Sequence, residues 1–178
     1  MKRAIRLAAV SAMALLAGGC ALLEDGGEPN LCPPTAILDD AGELVRFATV
    51  PPKGPGDVSF RVRMKYISGV CDVAEEAVSM ELSSAMEVSR GPANKDSEAR
   101  FSYFVAILDK NKTILTRTEF PMIAKFQGGE RQLQFQENVT VTIPKKVTVS
   151  PKDFYVYFGF EMSPEELANN RSRLRRGR

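Results

Sequence analysis

Three cysteines, Cys20, Cys32 and Cys71, carry most of the chemistry that this 178-residue chain could do. A thiol can be acylated, oxidised to a disulfide, or deprotonated to bind a metal. The last use is poorly served, because the chain contains no His, the commonest metal ligand and the usual general base near neutral pH. No triad built on His can be assembled, and the cysteines have no CxxC spacing. No phosphate-binding loop, EF-hand spacing or dinucleotide fingerprint occurs. Serines stand near lysines in many places, which singles out no Ser-Lys pair. The sequence therefore predicts no enzyme, no metal site and no cofactor.

Cys20 has the most specific context. A basic start (Lys2, Arg3, Arg6) leads into an apolar run from Leu7 to Leu16, then into Ala17-Gly18-Gly19-Cys20. This is the layout of a secretory signal, and the apolar run falls short of the roughly 20 residues that span a bilayer. A cysteine directly after Ala-Gly-Gly resembles the lipobox of bacterial lipoproteins, although Ala17 stands where that family usually has Leu, and Leu16 lies one place further back. The resemblance covers residues 1–20. It implies lipidation of Cys20, removal of a signal peptide at 1–19, and a lipidated tether at 20–34. The alternative is an ordinary secreted protein in which Cys20 is a stray thiol. By the sorting rule common among lipoproteins, Ala21 in second position implies the outer membrane, facing the periplasm. The rest of the chain loosely resembles uncharacterised proteobacterial lipoproteins with β-sandwich domains, a likeness that implies no activity.

With Cys20 assigned to the anchor, Cys32 and Cys71 remain as a pair. An oxidising, extracytoplasmic compartment makes a disulfide their expected state. The bond would close a loop worth roughly 4 kcal/mol in the chain-entropy model. It would leave residues 21–31 as the free part of the tether, at most about 35 Å long when stretched. The formal charge of +2 includes the three positive charges of the signal, so the chain from Cys20 onward stands at −1. Five arginines lie within the last eight residues (Arg171, Arg173, Arg175, Arg176, Arg178), which leaves a mildly acidic body.

The elements that must position these residues are strands. Val58, Phe60, Val62, Met64 and Tyr66 alternate with Ser59, Arg61, Arg63 and Lys65, the period of a half-buried strand with a basic outer face. Val78, Met80, Leu82, Met86 and Val88 repeat the pattern opposite Ser79, Glu81, Ser83 and Glu87. The run Phe101–Leu108 is apolar on both faces, as in a covered central strand. Ile114, Thr116, Thr118 and Phe120 alternate again, and a loop is predicted from Pro121 through Gly128-Gly129. Leu133, Phe135, Val139, Val141 and Ile143 point inward in the next strand. Glu137 interrupts that set, which predicts a bulge there or departure from the core. Phe154, Val156, Phe158 and Phe160 form the last strand, with Tyr155 and Tyr157 on its other face. With a weaker strand at Glu43–Ala48, these make an all-β domain over 35–162. It is expected to be an immunoglobulin-like antiparallel sandwich of about seven strands, though the chain has no Trp for that family's core.

Ser163-Pro164-Glu165-Glu166 opens a short helix with a capping box, and residues 163–178 continue into a basic tail expected to fray. The five arginines are candidates for binding an anionic surface, with folding back onto the acidic body as the competing outcome. Nucleic acid is not expected, since no aromatics are interleaved with them. Tyr155 and Tyr157 could stack on a ligand, although cross-strand packing explains them as well. Together these readings lead to the expectation of a non-enzymatic, lipid-anchored envelope module that contacts another envelope protein or an anionic polymer. The alternative is a domain that binds a small ligand, a wall polymer or lipid.

Overall fold

The computed structural model describes residues 31–49, 51–52 and 54–176. The signal segment, Cys20, most of the tether and Arg178 lie outside the described residues. The described residues form an all-β sandwich followed by a C-terminal helix. The strands are β1 (Thr35–Ile37), β2 (Glu43–Phe47), β3 (Val58–Val73), β4 (Ala77–Arg90), β5 (Glu98–Leu108), β6 (Ile114–Lys125), β7 (Gln132–Pro144) and β8 (Tyr155–Phe160), followed by α1 (Pro164–Arg176). One sheet has the order β1-β8-β5-β6 and the other β2-β3-β4-β7. Every pairing is antiparallel except β1 with β8. The strand beyond the expected seven is β1, whose three residues are too few to show a period.

Alternation explains the packing. Val62, Met64, Val78, Met86 and Val88 point between the sheets from one side, and Phe101, Val105, Val156 and Phe158 from the other. Aromatic rings pack in this core: Phe101 meets Phe160 edge-on at 5.7 Å, and Tyr103 stacks on Phe120 at 4.9 Å. The outer face of β5 is covered as well. Phe104 lies under the Arg117 guanidinium at 4.2 Å and over Gly159, where an added Cβ would fall 2.8 Å from both the Phe104 ring and Ala41.

Four expectations change. Tyr66 does not continue the inward row, because the β3–β4 register slips between Met64 and Tyr66 and leaves Lys65 as an extra residue. Beyond this bulge the odd positions face the core, and Tyr66 is 55% exposed. Pro121 does not start a loop; β6 runs through it to Lys125, which is permitted because β6 is an edge strand needing no donor there. The first half of β6 overhangs the sandwich, so Thr116 and Thr118 are exposed. No bulge occurs at Glu137: the β4–β7 register is continuous, and Glu137 faces inward opposite Ser84, half-buried at the rim.

The fourth change concerns the tail. The capping box forms as expected, with Glu166 N–H donating to Ser163 Oγ (3.2 Å) and Ser163 N–H to Glu166 Oε2 (2.8 Å). The helix then continues to Arg176 instead of fraying. It has no broad apolar stripe; polar contacts hold it. Buried Asn170 donates to the carbonyls of Asp40 (3.0 Å) and Glu43 (2.6 Å), and Arg46 pairs with Glu166 at 2.7 Å.

Candidate interaction surface

β2 ends the sheet on one side, but it pairs only with residues 58–63 of β3. From Lys65 to Val73 that edge of β3 meets no further strand among the described residues, so its backbone donors and acceptors on that side are open to pairing. The bulge decides which side chains accompany this edge. It turns Tyr66, Ser68, Val70 and Asp72 outward and Ile67, Gly69 and Cys71 inward. Val70 is 67% exposed. Gly69 lies opposite Leu82 on β4, and a Cβ there would fall 2.4 Å from the Glu81 carbonyl and 2.7 Å from the Leu82 side chain. Gly69 also lines a shallow, open groove of about 460 Å³ between the edge and Pro33-Pro34, floored by Met80 and Leu82. A second hollow of about 400 Å³ adjoins it at Gly69 and Val70 on the β4–β7 side.

Cys32 and Cys71 are joined, as expected, with Cα atoms 5.7 Å apart. The bond ties the residues just before β1, in one sheet, to the inward face of β3 in the other. It therefore braces the free edge from behind, where the chain enters the domain.

The candidate arginines are divided. Arg171 donates to Asp40 (2.7 Å) and Arg173 to Glu43 (2.9 Å), so both fold back on the body. Arg175 and Arg176 are exposed and pair with no acid among the described residues. Glu43 collects Arg63 (2.6 Å), Arg173 and, at 3.7 Å, Arg61, so the basic face of β3 is neutralised at this point. Burial would raise the Glu43 carboxyl, but hydrogen bonds from Arg173 and Arg63 outweigh it and hold the group below the usual carboxylate range.

Tyr155 and Tyr157 stack on each other, with centroids 6.2 Å apart. Their free face is taken by Lys112, whose Nζ sits 2.8 Å above the Tyr155 ring and donates to the Tyr157 hydroxyl at 3.1 Å. The turn before it fixes this lysine: the Asp109 carboxylate accepts from the N–H groups of Asn111 and Thr113, and Lys112 adopts φ 65°. The tyrosine face is thus closed by the chain itself.

A last polar group lies between the sheets. Ser84 is fully buried and its Oγ has no hydrogen-bond partner among the described residues. Glu137 is its cross-strand neighbour, and Tyr103 is buried nearby with its phenol pushed up to about 12, by burial first and by the Glu137 charge second. Among the described residues no three His, Cys, Asp or Glu side chains gather as metal ligands would, and no helix is long and apolar enough to cross a membrane. Sequence reasoning singled out Cys32, Cys71 and the arginines but missed Gly69, Val70, Lys112, Ser84 and Asn170. The only available signals were the odd Lys65-Tyr66 step and a glycine inside a strand pattern. In comparison with known proteins, no family model matches the chain and no curated protein is similar to it.

Proposed function

We propose that this chain is a lipid-anchored docking module of the bacterial cell envelope, without catalytic activity of its own. In this reading the segment 1–19 exports it, Cys20 carries the acyl anchor, and the domain stands in the periplasm close to the outer membrane. There it offers a surface to another envelope protein. The observation that supports the reading best is the open edge of β3 from Lys65 to Val73, with Tyr66 and Val70 exposed beside it and the disulfide bracing it. Unpaired strand edges bind proteins through backbone hydrogen bonds, with alternate side chains supplying selectivity. A glycan-stacking role for Tyr155 and Tyr157 gains less support, since Lys112 covers them. Of the tail arginines, only the described Arg175 and Arg176 are left for attraction to an anionic polymer, since Arg171 and Arg173 fold back on the body.

The test has two parts. Mass spectrometry of the membrane-derived protein should find an acylated Cys20, and Cys20→Ser should move the protein to the soluble periplasmic fraction or leave the precursor uncleaved. Affinity purification from membranes should recover a stoichiometric protein with the wild type and lose it with Val70→Lys at unchanged melting temperature. An unmodified Cys20 thiol removes the anchor from the proposal. Equal recovery with both proteins removes the docking edge.

A further inference from the structure

The free edge of β3 complements itself, and we infer that its occupant is the same edge of a second copy of this chain, in an antiparallel two-fold pairing centred on Ser68. The inference rests on the reading of β3 as a docking edge and names the partner. It begins from parity. Antiparallel neighbours share a face only when their positions have the same parity, and after the bulge the segment Tyr66–Asp72 alternates regularly. A two-fold axis at Ser68 then sets Tyr66 of each copy opposite Val70 of the other, twice over, on the outer face. These two side chains are 55% and 67% exposed in the single chain. On the inner face Ile67 meets Gly69, which has no side chain of its own there. The groove of about 460 Å³ floored by Met80 and Leu82 opens at that spot, so the second copy's Ile67 finds both space and apolar contact.

An axis at Gly69 does worse on each count. It sets Tyr66 against Asp72, Val70 against Ser68, and Ile67 against the disulfide-bonded Cys71. Charge supports antiparallel pairing without choosing between the two axes: with either, Asp72 of each copy lies diagonally beside Lys65 of the other, whose ammonium already faces Glu87 at 3.7 Å in its own chain. In its own chain Asp72 makes no ion pair among the described residues. The usual defences of a sheet edge are sparse along this stretch: Lys65 stands at one end, and Pro is absent from Tyr66 to Asp72. A ladder this short falls below the roughly 1,200–2,000 Å² of standard stable interfaces, so the dimer is reversible and depends on concentration. Confinement of anchored copies to a membrane surface would favour it.

Light scattering and sedimentation of the purified, disulfide-intact protein over a concentration series test this directly. The expected result is a monomer–dimer equilibrium that Val70→Lys weakens at least tenfold without lowering the melting temperature. Ser68→Cys should cross-link to itself under oxidising conditions, since directly opposed residues have Cα atoms about 4.5–5.5 Å apart, within disulfide range. Peptide mapping should locate that bond at residue 68. Thr148→Cys, an exposed position on the β7–β8 loop, should cross-link far more slowly. A protein that stays monomeric throughout, or that cross-links equally at both positions, overturns the second-copy inference. If Val70→Lys still releases an envelope protein while the chain is monomeric, the docking edge stands and its occupant is a different protein. If Val70→Lys changes neither property, both fail.

Discussion

Asn170→Ala should loosen the hold of α1 on β2 and the residues before it, and its effect can be worked from three contacts. The amide donates to the carbonyls of Asp40 and Glu43, and its Oδ1 accepts from Arg173 at 2.7 Å. Asn170 is 7% exposed, so truncation leaves two carbonyls with little water to replace the lost donors. An unsatisfied buried group costs about 1–3 kcal/mol. Because this site is at the rim, about 2 kcal/mol in total is the reasonable figure. For a domain of this size that lowers the melting temperature by about 4–8 °C. The neighbouring ion pairs behave differently. Arg171 and Arg173 have side chains 53% and 47% exposed, and pairs of that kind contribute at most about 1 kcal/mol each, less as salt screens them. Thermal melts of Asn170→Ala and of the double variant Arg171→Ala/Arg173→Ala, each at low and high salt, separate the two mechanisms. The asparagine effect should persist at high salt and the arginine effect should shrink. A shift under about 1 °C for Asn170→Ala, or one that salt abolishes, would refute the argument that hydrogen bonding holds this helix. Acid gives an independent check. A depressed Glu43 contributes stability that is present above its unfolded pKa, about 4.3, and is lost as pH falls through the lower folded value. The stability gap between wild type and Glu43→Gln should therefore close on acidification below about pH 4.

Spectrophotometric titration should find one of the four tyrosines ionising late, near pH 12, and Tyr103→Phe should remove that step; four phenols titrating together near pH 10 in the folded protein would contradict its burial. A raised phenol stabilises the fold below its unfolded pKa near 10 and stops doing so as pH climbs through the folded value, so alkaline unfolding should set in across that interval. Ser84→Ala should raise the denaturant midpoint by an amount worth about 1 kcal/mol, because it deletes a buried hydroxyl with no partner among the described residues; a clear loss of stability would mean that the hydroxyl is bonded after all. Replacing both Cys32 and Cys71 by Ser should lower stability by up to about 4 kcal/mol with the circular dichroism of the fold retained, and a loss near zero would show that the unfolded chain gains little freedom when the loop opens.

What could be read from the residues, and what could not, divides along a physical line. Local alternation announced β3 as far as Met64, β4, β7 and β8, because half-buried strands reveal themselves two residues at a time. The bulge at Lys65 did not, since an inserted residue has no composition of its own and shows only in what it is paired with. Glu137 looked like a break in β7 for the complementary reason: a carboxylate at an inward position is unusual, but the rim of a sandwich leaves it partly in water. The arginine-rich part of α1 lacks an apolar face, whereas its buried fastening is an asparagine reaching two carbonyls some 130 residues earlier in the chain. Such long-range polar contacts leave no periodic trace.

That single inserted residue links most of what the domain offers. Had β3 kept its parity beyond Met64, Tyr66 and Val70 would face the core, and Cys71 would point to solvent, away from Cys32. With Lys65 inserted, the same sequence turns Cys71 inward, where the bond to Cys32 can cross between the sheets. Gly69 then falls opposite Leu82, where a Cβ would collide with the neighbouring strand. The exposed Tyr66 and Val70, the groove at Gly69 and the disulfide behind them are therefore not independent features. Deleting Lys65 should remove all of them together, whereas Val70→Lys should alter binding alone. The brace also explains how such an edge can stay open without fraying: the strand is held on one side by β4 along its whole length and from behind by Cys32, so its other side remains extended and ready to pair.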